Sequence, residues 1–256
     1  MRTGPDRNNL LFLLPQQVKE RVFPLLREIK LPLGMEIGAA DQEVKFVYFP
    51  VDCIISLIYV TRDGHSSEIS VVGREGIAGV SVFLGAASTP TRTIVHSAGT
   101  AYRLAVADFK RECKNDVDMH MLMLRYTQAL LIQIGQTAVC NRHHSVNQQL
   151  CRWLLLSLDR LPGNELTITQ ELIANMLGVR REGITQAACR LQKLGIIRYS
   201  RGHITVLDRP RLEALCCECY GVVKKETGRL GLNVSDPTPK MKPVNTLGNI
   251  SQAGCR

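Results

Sequence analysis

Side chains suited to contact with DNA bases cluster near the start of one helical segment, residues 180–194. The planar fork of Arg181 could bond both acceptors of guanine, Glu182 could accept from cytosine N4, and Gln186 could match adenine. These side chains and Thr185 lie opposite the apolar positions of the segment, and we predict that they read bases. The alternative is a charged helix face that contacts only solvent.

The residues before this segment predict a second helix and a tight turn. Thr169 can cap a helix over residues 170–177, and Gly178 follows where the backbone must adopt a left-handed conformation. Two helices joined by a three-to-four-residue turn are typical of the helix-turn-helix, whose second helix enters the major groove of DNA.

A β-hairpin is predicted directly after the second helix. The runs IIRYS and HITVL flank the Arg201-Gly202 turn, which would complete a winged form of the motif. Basic and hydroxyl side chains on the helices and the wing suit phosphates, which position a protein without reporting sequence. The predicted phosphate contacts are Thr169, Arg180, Arg190, Lys193, Arg198 and Arg201.

The charge distribution supports a polyanionic partner for this part of the chain. The 256 residues carry 32 basic and 23 acidic side chains, a formal net charge of +9. Residues 139–210 hold 10 basic and 5 acidic side chains, whereas residues 1–138 hold 15 and 14. The positive excess therefore coincides with the predicted DNA-binding motif, as expected for a nucleic-acid-binding domain.

The chain before residue 141 shows two other patterns. Short apolar or alternating runs, punctuated by turn residues, predict seven or eight strands up to about residue 106, in a small antiparallel barrel or jelly roll. Residues 107–140 contain no Pro and predict a long helix.

The apolar stripe of that long helix is broader than packing against a small barrel requires. We therefore predict a homodimer in which the helix pairs with its own copy through Met123, Thr127, Leu130 and Ile134. The row Leu124, Leu131 and Ala138 lies beside this stripe. The alternative is a helix that packs wholly on its own barrel.

This order of elements resembles the Crp/Fnr family of transcription regulators over roughly residues 10–220. The resemblance is strongest in ITQELIANMLGVRREGITQAACRLQKLGII, and VNQQLCRWLLLSL looks like the helix that precedes the family's DNA-binding unit. Arg181, Glu182 and Gln186 match the family's polar reading triplet, whose archetype has arginine in the third place.

The resemblance implies an α+β fold of four parts. These are a cyclic-nucleotide-binding-like sensor barrel of jelly-roll type (1–106), a dimerisation helix (107–140), a winged helix-turn-helix DNA-binding domain (141–220) and a tail (221–256) whose composition predicts disorder. It also implies a homodimer that binds a near-palindromic operator in double-stranded DNA and contacts RNA polymerase.

The family's cyclic-nucleotide pocket maps onto Gly79, Val80, Arg92 and Thr93. Val80 stands where cyclic-nucleotide binders have a glutamate, and valine cannot accept a hydrogen bond from the ribose. We therefore expect DNA binding without cyclic AMP. The alternative is a ligand- or redox-gated sensor whose DNA binding depends on another effector in the barrel.

No metal or other cofactor is predicted. The iron-sulfur branch of the family uses an N-terminal cysteine cluster, but the first cysteine here is Cys53. Cys216, Cys217 and Cys219 lie close together, yet this CCxC run lacks the second ligand pair of a recognised zinc site.

Other functional classes have little support in the sequence. It contains no P-loop, dinucleotide-binding glycine motif or nucleophile elbow, so we do not expect an enzyme. Because no run of about 20 apolar residues and no export signal is found, a cytoplasmic protein without membrane contact is expected. A nonspecific architectural DNA binder remains a third alternative.

Overall fold

Two antiparallel sheets form the N-terminal half of the protein, and they are not closed into a barrel. The computed structural model describes residues 2–232. After two short helices, α1 and α2, the first sheet has the strand order β1-β7-β3 and the second has the order β2-β6-β4-β5. The elements are α1 (Asn9–Leu13), α2 (Gln16–Val22), β1 (Arg27–Leu31), β2 (Glu36–Gly38), β3 (Phe46–Pro50), β4 (Ile54–Val60), β5 (Ser66–Val72), β6 (Arg92–Ser97) and β7 (Gly99–Ala105).

Apolar side chains from both sheets meet between them. Leu31 of β1 and Ala101 of β7 pack with Ile55, Val72 and Val95 of the other sheet, and all five are buried. Because successive side chains of a strand point to opposite faces, this core requires the alternating pattern seen in the sequence. The pattern predicted seven or eight strands, and the described residues before 106 contain seven. The run GIAGVSVFLGAA, which was expected to be a strand, contains only a short 3₁₀ helix, Val80–Val82, and the pattern did not determine whether the sheets close.

The predicted helix over residues 107–140 is interrupted in the structure. Helix α3 (Val106–Asn115) ends before Asp116, and helix α4 (Val117–His143) begins after it. The Asp116 carboxylate accepts a hydrogen bond from the main-chain N of Met119, which is the geometry of a helix N-cap. Arg21 of α2 binds both Glu112 and Asp116 and so holds this break against the N-terminal helices.

The face of α4 that we assigned to a partner subunit packs on the protein itself. Met123, Thr127 and Leu130 are 1%, 8% and 7% exposed, and the half-buried Ile134 packs on the same core. This corrects the sequence-based assignment of the dimer contacts. The stripe was ambiguous because two adjacent rows of α4 are apolar, and the row that contains Leu131, 58% exposed, is the one left at the surface.

The C-terminal part contains the remaining helices and a three-stranded sheet of order β8-β10-β9. Its last helix continues to Arg229. The disordered tail that we expected from residue 221 therefore does not begin there. The rest of that predicted tail, residues 233–256, lies outside the described residues. The elements are α5 (Val146–Leu158), β8 (Glu165–Thr167), α6 (Gln170–Leu177), α7 (Arg181–Lys193), β9 (Ile197–Ser200), β10 (His203–Val206), α8 (Arg209–Leu215) and α9 (Glu218–Arg229).

A buried carboxylate, Glu68 of β5, joins the sheets to the C-terminal part. Trp153 of α5 donates its indole N–H to Glu68 Oε1 over 3.2 Å, and Ser56 of β4 donates to Glu68 Oε2. The His96 ring stacks on Trp153 with centroids 4.7 Å apart, and its Nδ1 lies 3.3 Å from Glu68 Oε2. A buried charge is costly without such partners, so this contact fixes how α5 lies on the sheets.

Within residues 2–232, every helix is too short or too polar to cross a membrane.

Ser56→Ala tests the contribution of the Glu68 contact to stability. The variant removes one donor to a buried carboxylate and should lower the free energy of unfolding by about 1.5–3 kcal/mol, measured by urea denaturation at fixed protein concentration. Ser70→Ala is the matched control on the adjacent strand, because the Ser70 hydroxyl is buried without a hydrogen-bond partner. If both variants lost the same free energy of unfolding, the hydrogen bond from Ser56 to Glu68 would have no special role in stability.

Candidate nucleic-acid interface

The turn between α6 and α7 has the local geometry that its sequence predicts. Thr169 Oγ1 accepts a hydrogen bond from the main-chain N of Leu172 and caps α6. Gly178 follows α6 with φ of 65°, a left-handed conformation that glycine adopts without Cβ strain. The main-chain N of Val179 bonds to the carbonyl of Ala174, and α7 begins two residues later. The two helices and their short turn therefore form a helix-turn-helix.

Helix α7 buries one face and exposes the other. Ile184, Ala188 and Leu191 are at most 2% exposed and belong to the core that includes Trp153 of α5. Since side chains three and four residues apart share a helix face, burial of this row turns the polar row outward. Arg181, Glu182 and Gln186 are exposed at the N-terminal end of α7.

Thr185 is the exception among the four predicted base-reading residues. Its side chain is half-buried, and Thr185 Oγ1 lies 2.7 Å from Gln170 Oε1 of α6. The hydroxyl therefore links the two helices of the motif. Arg181 is held more loosely, since its Nε lies 3.7 Å from an oxygen of Glu171 and both side chains are exposed. Exposed ion pairs contribute little to stability, so DNA could displace this one.

The wing follows from a two-residue turn between β9 and β10. Arg201 and Gly202 both have positive φ, 49° and 80°, as the common tight hairpin turn requires. The main-chain N of Ile168 bonds to the carbonyl of Gly202 over 2.7 Å and anchors the wing beside the start of α6. All six predicted phosphate contacts are exposed on α7, on the wing or at the adjoining helix starts: Thr169, Arg180, Arg190, Lys193, Arg198 and Arg201.

A cavity of about 550 Å³ lies in the N-terminal half, where the cyclic-nucleotide pocket was expected. Gly79, Val80 and Thr93 line it, together with residues of β2, β3 and β4. Arg92 does not line the cavity. Its guanidinium makes two hydrogen bonds, at 2.9 and 2.6 Å, to the carboxylate of Glu36, which does line it. These bonds hold the pKa of Glu36 below its ordinary value. Three of the four predicted pocket residues therefore share one cavity.

Four potential metal ligands that the sequence analysis did not combine lie together where α4 meets α9. They are Cys140 and His144 at the end of α4, and Cys217 and Cys219 at the start of α9. The CCxC run lacked a second ligand pair in sequence, and α4 supplies that pair in space. The available signal was the four-residue spacing of Cys140 and His144, which brings both side chains to one face of a helical turn.

The cysteines of this cluster have strongly altered acidities. Hydrogen bonds from Cys140 and Cys216 hold the pKa of the Cys217 thiol well below its usual range. The same contacts, together with burial, raise the pKa of the Cys140 thiol and of the neighbouring Cys216 thiol.

Comparison with known proteins identifies the C-terminal motif. Residues 148–215 match the model of the Crp-like helix-turn-helix domain. No curated relative matches the sequence.

Solved structures share the overall fold. A regulator of the Crp/Fnr family from Eubacterium rectale is similar at a TM-score of 0.64 and 20% identity, over 82% of this chain and 98% of that one. FixK2 from Bradyrhizobium japonicum has a TM-score of 0.64 at 16% identity, over 75% and 98% of the two chains. The c-di-GMP responsive regulator CLP from Xanthomonas campestris has a TM-score of 0.60 at 13% identity, over 75% and 99%. The protein therefore has a Crp/Fnr-type fold and a Crp-like helix-turn-helix domain.

Gly178→Ala tests whether the turn needs a residue that tolerates a left-handed backbone. The nearest atom to an added Cβ is 3.5 Å away, so the cost comes from the backbone and not from a clash. The variant should lose roughly 1–2 kcal/mol of unfolding free energy. Gly183→Ala in α7 is the control, and it should be neutral or gain at most about 1 kcal/mol. Thermal and urea unfolding measure both variants. A Gly178→Ala variant with the unfolding free energy of the wild type would contradict the assignment of a left-handed backbone to this turn.

Proposed function

We propose that this chain, which has a Crp/Fnr-type fold and a Crp-like helix-turn-helix domain, is a non-enzymatic transcription regulator. It binds a near-palindromic operator as a homodimer, without cyclic AMP, and acts through contact with RNA polymerase. The observation that carries the proposal is the exposed N-terminal end of α7, beside a basic wing.

Arg181, Glu182 and Gln186 are the residues that we assign to base contacts. They are exposed at the end of α7 that enters the major groove in a helix-turn-helix. The Thr185 hydroxyl donates a hydrogen bond to Gln170 of α6. We therefore assign Thr185 a role in positioning α7, in addition to the base contact predicted for it. Within the described part of the chain, the basic side chains that we assign to phosphates form no ion pair with an acidic residue: Arg180, Arg190, Lys193, Arg198 and Arg201.

The exposed row of α4 is the surface that we assign to the homodimer. Val117, Met121, Leu124 and Leu131 are 42–77% exposed and recur at spacings of four, three and seven residues. This heptad spacing is typical of helices that pair along an apolar seam. Two copies joined along α4 would present two copies of α7, as a two-fold operator requires.

The expected independence from cyclic AMP rests on two features of the cavity. Val80 offers no acceptor for a ribose hydroxyl, and the Arg92 guanidinium is already bonded to Glu36. A cyclic phosphate would have to break this ion pair before it could bind Arg92.

A ligand-gated regulator is the second candidate function. Leu57 lines the cavity and is next to Ser56, which donates to Glu68. An effector that moved this part of β4 would therefore act on the contact with Trp153 of the DNA-binding domain. The similar protein CLP is described as c-di-GMP responsive. A large increase in DNA affinity on adding an effector would favour this candidate over constitutive binding.

Arg181→Ala separates base contact from phosphate contact. On duplexes that the protein selects from random sequence, the variant should lose about 1–3 kcal/mol of discrimination at one base pair of each half-site. Arg198→Ala is the control on the wing. It should weaken binding to all sequences to a similar extent, and it should reduce the slope of log affinity against log salt concentration by about one, which corresponds to one lost phosphate contact. Fluorescence anisotropy over a salt series measures both. Uniform weakening by Arg181→Ala would contradict base contact.

Leu131→Glu tests the assignment of the dimer seam. A charge in this apolar seam should convert the protein to monomers, because a buried unpaired charge is costly. Leu33→Glu is the matched control, since Leu33 is 44% exposed in the β1–β2 turn, outside α4. Light scattering coupled to size-exclusion chromatography measures the mass. A monomeric wild type, or a dimeric Leu131→Glu, would refute the seam.

A further inference from the structure

The cluster at the junction of α4 and α9 has the composition of a metal centre. Cys140, His144, Cys217 and Cys219 each offer one ligand atom, and these atoms all lie within 4.8 Å of one another. The three cysteines are buried and His144 is half-buried. Three sulfurs and one imidazole nitrogen form one of the usual donor sets of structural zinc sites.

Two distances between ligand atoms match the edges of a tetrahedron around a single ion. Bonds of about 2.3 Å to sulfur and 2.0–2.1 Å to nitrogen place neighbouring sulfurs about 3.8 Å apart, and sulfur and nitrogen about 3.6 Å apart. Cys140 Sγ lies 3.6 Å from Cys217 Sγ, and Cys219 Sγ lies 3.6 Å from His144 Nδ1. These short distances fit a mononuclear ion better than a [4Fe–4S] cluster, in which each thiolate binds a different iron.

His144 is already oriented as a ligand. Its Nδ1 faces Cys219, while its Nε2 lies 3.4 Å from the carboxylate of Glu218. Metal-bound histidines usually donate the N–H of their other ring nitrogen to a carboxylate or carbonyl, which fixes the tautomer. Glu218 supplies that carboxylate here, and it lies in the sequence between the two cysteines of α9.

A buried arginine provides an independent indication of negative charge at this site. Arg152 of α5 is 4% exposed, and its Nε and Nη1 have no hydrogen-bond partner. Its Nη2 donates to Thr137 Oγ1 over 3.1 Å, so the guanidinium lies against α4, the helix that carries Cys140. Three thiolates, a neutral imidazole and a divalent ion carry a net charge of −1, which the guanidinium would balance.

We propose that Cys140, His144, Cys217 and Cys219 bind one zinc ion in a tetrahedral Cys₃His site, with Glu218 orienting His144. The ion joins the last turn of α4 to the start of α9. Because α5 and the helix-turn-helix lie between these two ligand pairs in the chain, the ion closes a loop around the DNA-binding domain. The site is a clamp at the connection between the long helix and that domain.

The metal content of the full-length protein tests this proposal directly. Protein purified under reducing conditions and dialysed against zinc should retain about one ion per chain, measured by inductively coupled plasma mass spectrometry. Replacement by Co²⁺ should give the intense visible absorption of a tetrahedral thiolate complex. Cys219→Ser and His144→Ala should lose the ion, whereas Cys113→Ser, the same change at a buried cysteine outside the cluster, should retain it.

Two further variants test the individual roles. Cys216→Ser should retain zinc, since Cys216 is adjacent to the four ligands but is not one of them. Glu218→Gln should weaken zinc binding about 10–100-fold in competition with a chromophoric chelator. Glu226→Gln, at a glutamate further along α9, should not change the affinity.

The following results would overturn the proposal. They are a reduced wild type that binds no zinc, an iron-sulfur chromophore in place of zinc, and equal metal loss in Cys113→Ser and Cys219→Ser. Because the metal is measured without DNA, these results do not depend on the function proposed above.

Should the ligand variants fail to fold, wild-type protein still tests the clamp. Removing zinc with a chelator should lower its melting temperature, and adding zinc back should restore it, because an ion that binds only the folded chain stabilises it. An unchanged melting temperature would refute the clamp.

Discussion

Two carboxylates of the N-terminal half, the buried Glu68 and the half-buried Glu75, must find partners, and these partners come from the helix-turn-helix domain. Glu68 accepts from Trp153 of α5, and Glu75 binds Arg160 just after α5 at 2.7 Å. Arg160 is 7% exposed, so this ion pair is also largely removed from water. Removing one partner of such a pair leaves an uncompensated buried charge. The position of α5, and with it the helix-turn-helix, therefore depends on these two contacts.

The same contacts connect the cavity with the surface that we assign to DNA. Glu68 is hydrogen-bonded to β4, which contributes Leu57 to the cavity wall. Further along the hairpin, Ser66 donates to the main-chain carbonyl of Asn175 in α6. The sheets thus touch the helix-turn-helix domain at α5 and at α6. The proposed zinc site would add a third connection at the end of α4, which is separate from the cavity.

Features encoded over a few residues could be predicted from the sequence, and features that join distant segments could not. The cap at Thr169, the turn at Gly178 and the buried row of α7 are local, and each was predicted correctly. The choice between two apolar rows of α4 depends on packing against the sheets, so the assignment of Leu130 to a partner was wrong. The pairing of Cys140 with Cys217, 77 residues apart, likewise depends on the fold.

The most direct test of the account is selection of bound duplexes from random DNA by the wild-type protein, without added ligand and at a stated salt concentration. Specific recognition by a two-fold dimer predicts a near-palindromic sequence whose half-sites are about one helical turn apart. Recovery of unrelated sequences, bound with equal affinity and only a salt-dependent phosphate contribution, would contradict that claim.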